Sequence, residues 1–311
     1  MTRNKLFAIT ALIALTVAFA GCGSDDKAPA APTESTLFEF SFSGMSELDS
    51  AYYQAWALID NFAYNLGRFN VNSSGQMVDT TGTVITGNAI SFGLSASVIT
   101  GIGITIQHAD DESSSPSSTH FLGGEVSSGS VSLTVASENG IYEEFGNVAG
   151  KYILATPTNG TDSDETSGIW YIDNSSGFSS VGLTMPSFTF GWQYEGWVRI
   201  DGKYVSTGTF TSMTGADSSA AYSASTLPAP DFPGEDFLTD APAGITFPVD
   251  LRGKYVMITL EPNPDPAVGV PSPFVLLEAN IASDAIDHQT YNMSSTVSSS
   301  LPTGTVTLTV E

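Results

Sequence analysis

The sequence predicts an all-β protein: two related antiparallel β-sandwich units, Ig-like in type, that arise from an internal duplication. Three observations carry this expectation. Gly, Ser and Thr are abundant, and no long stretch has an apolar period of 3.6 residues, which argues for strands and turns over helices. Short segments alternate apolar and polar residues, the pattern of a strand with one face on a core. Blocks of sequence also recur in the same order along the chain.

The clearest block places Tyr53, Trp56, Ile59 and Asp60 against Tyr194, Trp197, Ile200 and Asp201. The same offset of 141 runs without a gap to Gly67/Gly208 and Phe69/Phe210. It yields 6 identities in 17 positions, where chance supplies about one. A second block matches Ile104, Thr105, Ile106 and Gln107 to Ile258, Thr259, Leu260 and Glu261, and acidic Ser/Pro-rich stretches follow both. A third aligns residues 128–135 with residues 303–310.

In the later copy of the first block, Tyr194, Gly196, Val198 and Ile200 share one strand face, and Glu195, Trp197, Arg199 and Asp201 share the other. Asp201 and Gly202 suit a type I′ hairpin, whose two central residues need positive φ, so residues 203–210 return antiparallel. In the earlier copy Asn61 stands where the turn glycine would be, which predicts a longer, looser connection before Phe69. In the third block Val131, Leu133 and Val135 point to a core while Ser and Thr point away. Residues 136–180 join the halves and contain a further pair of apolar runs, around Tyr152 and around Trp170.

The chain begins with Arg3 and Lys5, an apolar run over residues 6–19, and the small residues Ala20 and Gly21, the three zones of a signal peptide. The run is too short to be a settled membrane span. Phe19, Ala20, Gly21 and Cys22 resemble the lipobox of bacterial lipoproteins, with Phe19 in place of the usual Leu. Cys22 is the only cysteine, so the protein has no internal disulfide, and a lipidated thiol is not a reactive one. The expected organisation is a signal peptide over 1–21, a flexible tether over 22–36, a first unit with joining strands over 37–180, and a second unit over 181–311. The resemblance implies lipid attachment at Cys22 and a place in the bacterial cell envelope, and Gly23 after the cysteine favours the outer membrane over the inner.

Charge narrows the partners. The chain carries −24, and removing residues 1–21 takes Arg3 and Lys5 but no acid, leaving 7 basic residues against 33 acidic. Nucleic acid is excluded as a partner because nothing could neutralise its phosphates. Anionic lipid surfaces repel such a chain, so anchoring falls to the lipid. Salt adaptation or solubility is the leading explanation of the acidity, with calcium sites or a cationic ligand as alternatives.

Tyr194, Trp197, Asp201, Gly202, Gly208 and Phe210, followed by Glu261, Pro262 and Pro271, form a set that resembles the extracytoplasmic domain of anti-sigma-K factors. The earlier half is a degenerate copy, with Gln107 and His108 in place of Glu261 and Pro262. Those factors also have a cytoplasmic sigma-binding segment and a membrane helix, whereas a cleavable signal precedes the domain here. The resemblance therefore implies a binding or sensing module with no direct sigma-factor contact.

Catalytic signals are few. His108, His120 and His288 have no local metal spacing, although His108 and His120 could meet across a hairpin. There is no nucleophile elbow, phosphate loop or dinucleotide fingerprint. Asp110, Asp111 and Glu112, and Asp162, Asp164 and Glu165, are the candidate calcium loops, but neither has the spacing of a twelve-residue calcium loop. Trp56 and Trp197 are the candidate ligand platform, set against the reading that they simply pack. The leading expectation is a non-catalytic envelope lipoprotein that binds an envelope protein or glycan without a cofactor. A structural or adhesive surface lipoprotein comes second, and a carbohydrate hydrolase with two distant acids a remote third.

Overall fold

The computed structural model describes residues 34–60, 62–160, 163–218 and 221–311. It is almost entirely β. In chain order, β1 (Thr36–Ser43) precedes the hairpin of β2 (Ala51–Ile59) and β3 (Phe62–Val71). Then come β4 (Met77–Val78), β5 (Ala89–Phe92), β6 (Gly101–His108), β7 (His120–Ser127) and β8 (Ser130–Leu133). The middle of the chain forms β9 (Ala149–Leu154), β10 (Gly168–Trp170), β11 (Ile172–Asp173), β12 (Ser180–Val181) and β13 (Leu183–Thr184). A second long hairpin, β14 (Gly191–Ile200) and β15 (Lys203–Phe210), is followed by β16 (Gly234–Asp236), β17 (Tyr255–Asn263), β18 (Val275–Asn280) and β19 (Tyr291–Ser295). One short helical turn, α1 (Val297–Ser300), leads into β20 (Thr303–Val310).

Two large antiparallel sheets result. The first has the order β4-β3-β2-β6-β7-β8-β20-β1-β5, and the second β15-β14-β17-β18-β19-β9-β10-β16 with β13 beside β9. Each curls until its two ends face one another. Phe40 and Phe42 on β1 meet Phe69 on β3 at ring separations of 6.2 and 5.6 Å. Tyr171, just after β10, reaches Phe210 on β15 at 6.3 Å. A Cβ at Gly196 would collide with that Tyr171 ring, so the glycine is required where the two ends of the sheet cross. A curled sheet with its apolar face inside is a sandwich in its own right.

The two hairpins share their register. Tyr53 pairs with Phe69 and Tyr194 with Phe210, and both ladders carry a bulge just before the tryptophan, at Ala55/Trp56 and at Gly196/Trp197. The expected looser connection in the first hairpin is not found. Ile59 pairs with Phe62 as Ile200 pairs with Lys203, and Asp60 has φ 54° against 51° for Asp201. Aspartate tolerates left-handed backbone, and it opens the turn in both hairpins.

The expected boundary at 180/181 does not separate the sheets. β9 and β10, from the joining segment, complete the second sheet, and β20, from the chain end, completes the first. The third pair of sequence blocks is corrected accordingly. Residues 130–133 and 304–307 are neighbours in one sheet, with Val306 opposite Val131 and Thr305 opposite Ser132. Their similarity has a local cause: adjacent strands on one curled sheet bury the same face and wet the same face.

The sheets meet through one continuous core. Phe121 on β7 packs against Trp192 on β14 at 5.6 Å and against Phe274 at 4.6 Å. The Trp192 indole also donates to the His120 carbonyl at 2.8 Å. Among the described residues no helix is long and apolar enough to cross a membrane.

Candidate functional site

The first clue to the site is that strands β2 and β14 are buried on both faces around Trp56 and Trp197. Tyr53 and Tyr194 are fully buried on the core side, yet Trp56 and Trp197, on the opposite face, are only 1% exposed. Each indole donates to a threonine on the next strand, Trp56 to Thr105 Oγ1 and Trp197 to Thr259 Oγ1, both at 2.9 Å. A tryptophan so covered offers no face to a ligand, and the platform expectation is replaced by packing.

The same face holds polar residues at matched positions with different chemistry. Gln54 lies opposite Thr105 as Glu195 lies opposite Thr259, and Gln107 opposite Tyr52 as Glu261 opposite Gln193. Gln107 Oε1 accepts from the Ser117 amide at 2.9 Å, and Glu261 Oε1 accepts from the Ser272 amide at 2.9 Å. Ser117 and Ser272 each donate to the carbonyl before that residue, of Ile106 and Leu260, at 2.7 Å. The first sheet has neutral amides where the second has carboxyls.

Those carboxyls are poorly solvated. Burial pushes Glu195 and Glu261 up to about 7, with the nearby charge of Asp265 acting in the same direction on both. Asp265 is itself raised by burial, while His108 across the gap acts to lower it. Thr259 donates to Glu261 Oε1, and Ser206 Oγ donates to Glu195 Oε1 at 2.5 Å. No hydrogen bond to Glu261 Oε2 is found among the described residues.

Glu261 and Asp265 form one wall of a cleft of about 160 Å³ between the sheets. The opposite wall comes from the β1–β2 connection, with Glu47, Leu48 and Asp49, and from Ile106. The rest is apolar and proline-rich, including Val270, Pro271 and Phe274. Loops carry Asp265 and Asp49, but strand β17 fixes Glu261, and Leu48 is tied to Asn70 on β3 by two 3.0 Å hydrogen bonds. Cleft walls held by buried strands keep their spacing.

A second acidic pair, Glu235 and Asp236 on β16, plays a structural part. Asp236 accepts from the Thr158 amide at 2.9 Å and from the Trp170 indole at 2.7 Å. Glu235 accepts from Ser223 Oγ, from the Asp236 amide at 3.0 Å and from the Tyr222 amide at 3.3 Å. All four oxygens are used, which clamps β16 onto β10 and ties residues 222 and 223 to it.

The other expected sites are scattered. Asp110, Asp111 and Glu112 lie in the turn after β6, where Asp111 Oδ1 accepts from the Ser113 amide at 2.7 Å. Asp164 sits at φ 58°, and Glu165 turns inward to the Thr156 amide at 3.0 Å and to His288 at 3.3 Å. Asp162 lies outside the described residues, as do Cys22 and the segment around it. His108 Nε2 is 3.1 Å from the Pro264 carbonyl oxygen, and His120 is pushed down by burial. Among the described residues no group of three or more His, Cys, Asp or Glu could hold a metal ion.

Alternation alone could not find this site, because Glu195 and Glu261 read as the solvent side of their strands. The available signal was two glutamates inside strands that otherwise carry hydroxyls and amides on that face. No protein-family model, curated protein or solved structure matches the chain.

Proposed function

We propose that this is a non-catalytic binding protein of the bacterial envelope, held at a membrane through a lipid on Cys22. On this reading its body is a duplicated module like the extracytoplasmic part of anti-sigma-K factors. The cleft between the sheets, walled by Glu261 and Asp265 on one side and Glu47 and Asp49 on the other, is its binding site. That cleft carries the reading. It is built by both sheets at once, so binding there reads out how the two are joined. At about 160 Å³ it falls below the 300–1,000 Å³ usual for small-molecule sites. It suits one protruding group of a larger partner better than a sugar substrate.

Duplication is supported by the shared hairpin register and bulge, and by matched Trp–Thr and Ser–carbonyl hydrogen bonds. Hydrolase chemistry is less well supported, because only Glu261 of the three glutamates near 7, Glu195, Glu235 and Glu261, lines the cleft.

Two experiments test the reading. Labelled palmitate should enter the wild-type chain and not Cys22→Ser, and equal labelling would remove the anchor. A photoreactive side chain at Val270, on the cleft rim, should give a discrete adduct in cells that Glu261→Gln with Asp265→Asn abolishes. Absence of any adduct, or glycan cleavage abolished by Glu261→Gln, would overturn a non-catalytic binding site there.

A further inference from the structure

We infer that the inter-sheet cleft receives the side chain of a lysine or arginine from a partner polypeptide, with Glu261 as its anchor. This inference rests on the binding function proposed above and names the ligand class of the same site.

Several observations point the same way. Glu261 is 1% exposed, lines the cleft, and presents one carboxylate oxygen to which no donor is assigned among the described residues. A carboxylate oxygen on the cleft wall can take a charge-assisted hydrogen bond from an incoming donor. No ion pair among the described residues includes Glu47, Asp49, Glu261 or Asp265, and only on Asp265 does His108 act across the gap. The carboxylates of the two walls do not converge on a point where one metal ion could bind. They bracket a volume instead, which suits an extended organic cation. The walls between them are apolar, with Leu48, Ile106, Pro271 and Phe274. Lys and Arg have this composition, a methylene stem that prefers apolar surface and a charged head that prefers carboxylates. The volume of about 160 Å³ matches one such side chain and excludes a folded surface. A chain charge of −24 would steer basic partners toward it.

The test uses the mature lipidated chain in detergent micelles and capped Gly/Ser hexapeptides carrying one central arginine, lysine, citrulline or norleucine. An NMR titration at pH 8 reads the weak affinities expected of a single side chain. The arginine and lysine peptides should bind at least ten-fold more tightly than those with citrulline and norleucine. Glu261→Gln should remove that preference, and Asp265→Asn should weaken it while leaving the far-UV circular dichroism unchanged. Equal binding of norleucine and lysine peptides would overturn the inference. So would spermidine binding as tightly as the peptides, since that would assign the site to free polyamines. If the Val270 adduct forms in cells but the peptides show no charge preference, the binding function stands and the basic-side-chain inference fails.

Discussion

Replacing Glu261 by glutamine should make the protein more stable at neutral pH and leave it nearly unchanged in acid. In the folded chain burial holds the Glu261 carboxyl up to about 7, whereas an unfolded glutamate has the model value of 4.5. Between those two values the folded state holds a proton that the unfolded state has released. Stability therefore falls as pH rises through that window, and the penalty is fully developed above about 7. At about 1.4 kcal/mol per pH unit, the cost approaches an order of magnitude of 3 kcal/mol for one carboxyl. Glutamine keeps the acceptor that Thr259 and Ser272 use and cannot ionise. The first sheet already holds this arrangement, with Gln107 Oε1 accepting from the Ser117 amide at 2.9 Å. Urea unfolding from pH 4.5 to 8 is the assay. The wild type should lose stability along that series, and the gap between Glu261→Gln and the wild type should open with pH. Glu195→Gln should behave alike, and the double variant should gain less than the sum, because the two carboxyls sense one another. A gap that is constant with pH would show that Glu261 is ionised throughout and that its burial carries no penalty.

Trp197→Ala should cost about 3–5 kcal/mol in urea unfolding, as should Trp56→Ala, because each removes a buried indole. Trp197→Phe should cost less, and a loss below 1 kcal/mol for the alanine variant would contradict the packing described here. Sodium chloride should raise the thermal midpoint at neutral pH, since a charge of −24 repels itself, and calcium at equal ionic strength should add nothing further. A larger rise with calcium would restore metal binding to the acidic loops. Deleting residues 303–311 should destabilise the first sheet by several kcal/mol, since it exposes both the β1 and β8 edges and removes buried Val306 and Leu308. Proteolysis should then begin in residues 36–133, and cleavage confined to the second sheet would refute the topology.

Much of the fold was legible because its signals are local. The alternation of Tyr194, Gly196, Val198 and Ile200 marks a strand with a buried face, and all four positions are buried. Asp201 and Gly202 mark a two-residue turn, and both have positive φ. The recurrence of Tyr, Trp, Ile, Asp, Gly and Phe marks two hairpins of one register. Period-two reasoning failed on Glu195 and Trp197 because it assumes that one face is wet. Here the second face of β14 is covered over Glu195 and Trp197, whose polar atoms pair with Ser206 and Thr259.

Which sheet a strand joins is a longer-range property, and β20 shows why its sequence could not settle it. Residues 303–310 and 128–135 carry the same alternation of valine or leucine with serine or threonine. That pattern states only that one face is buried, so it fits equivalent strands in two units and adjacent strands in one. The ladder from Gly304–Leu133 to Thr307–Ser130 selects adjacency. In exchange, the segment with Tyr152 and Trp170 joins the second sheet, where Tyr152 pairs with Tyr291 and Trp170 with Gly234. Each sheet thus depends on a strand from the other half of the chain. Such interlocking fixes how the two sheets sit against each other, and that placement holds the Glu47–Asp49 wall opposite the Glu261–Asp265 wall. A site assembled by non-local pairing leaves no contiguous motif, so the residues that form it can be named only once the strands have been placed.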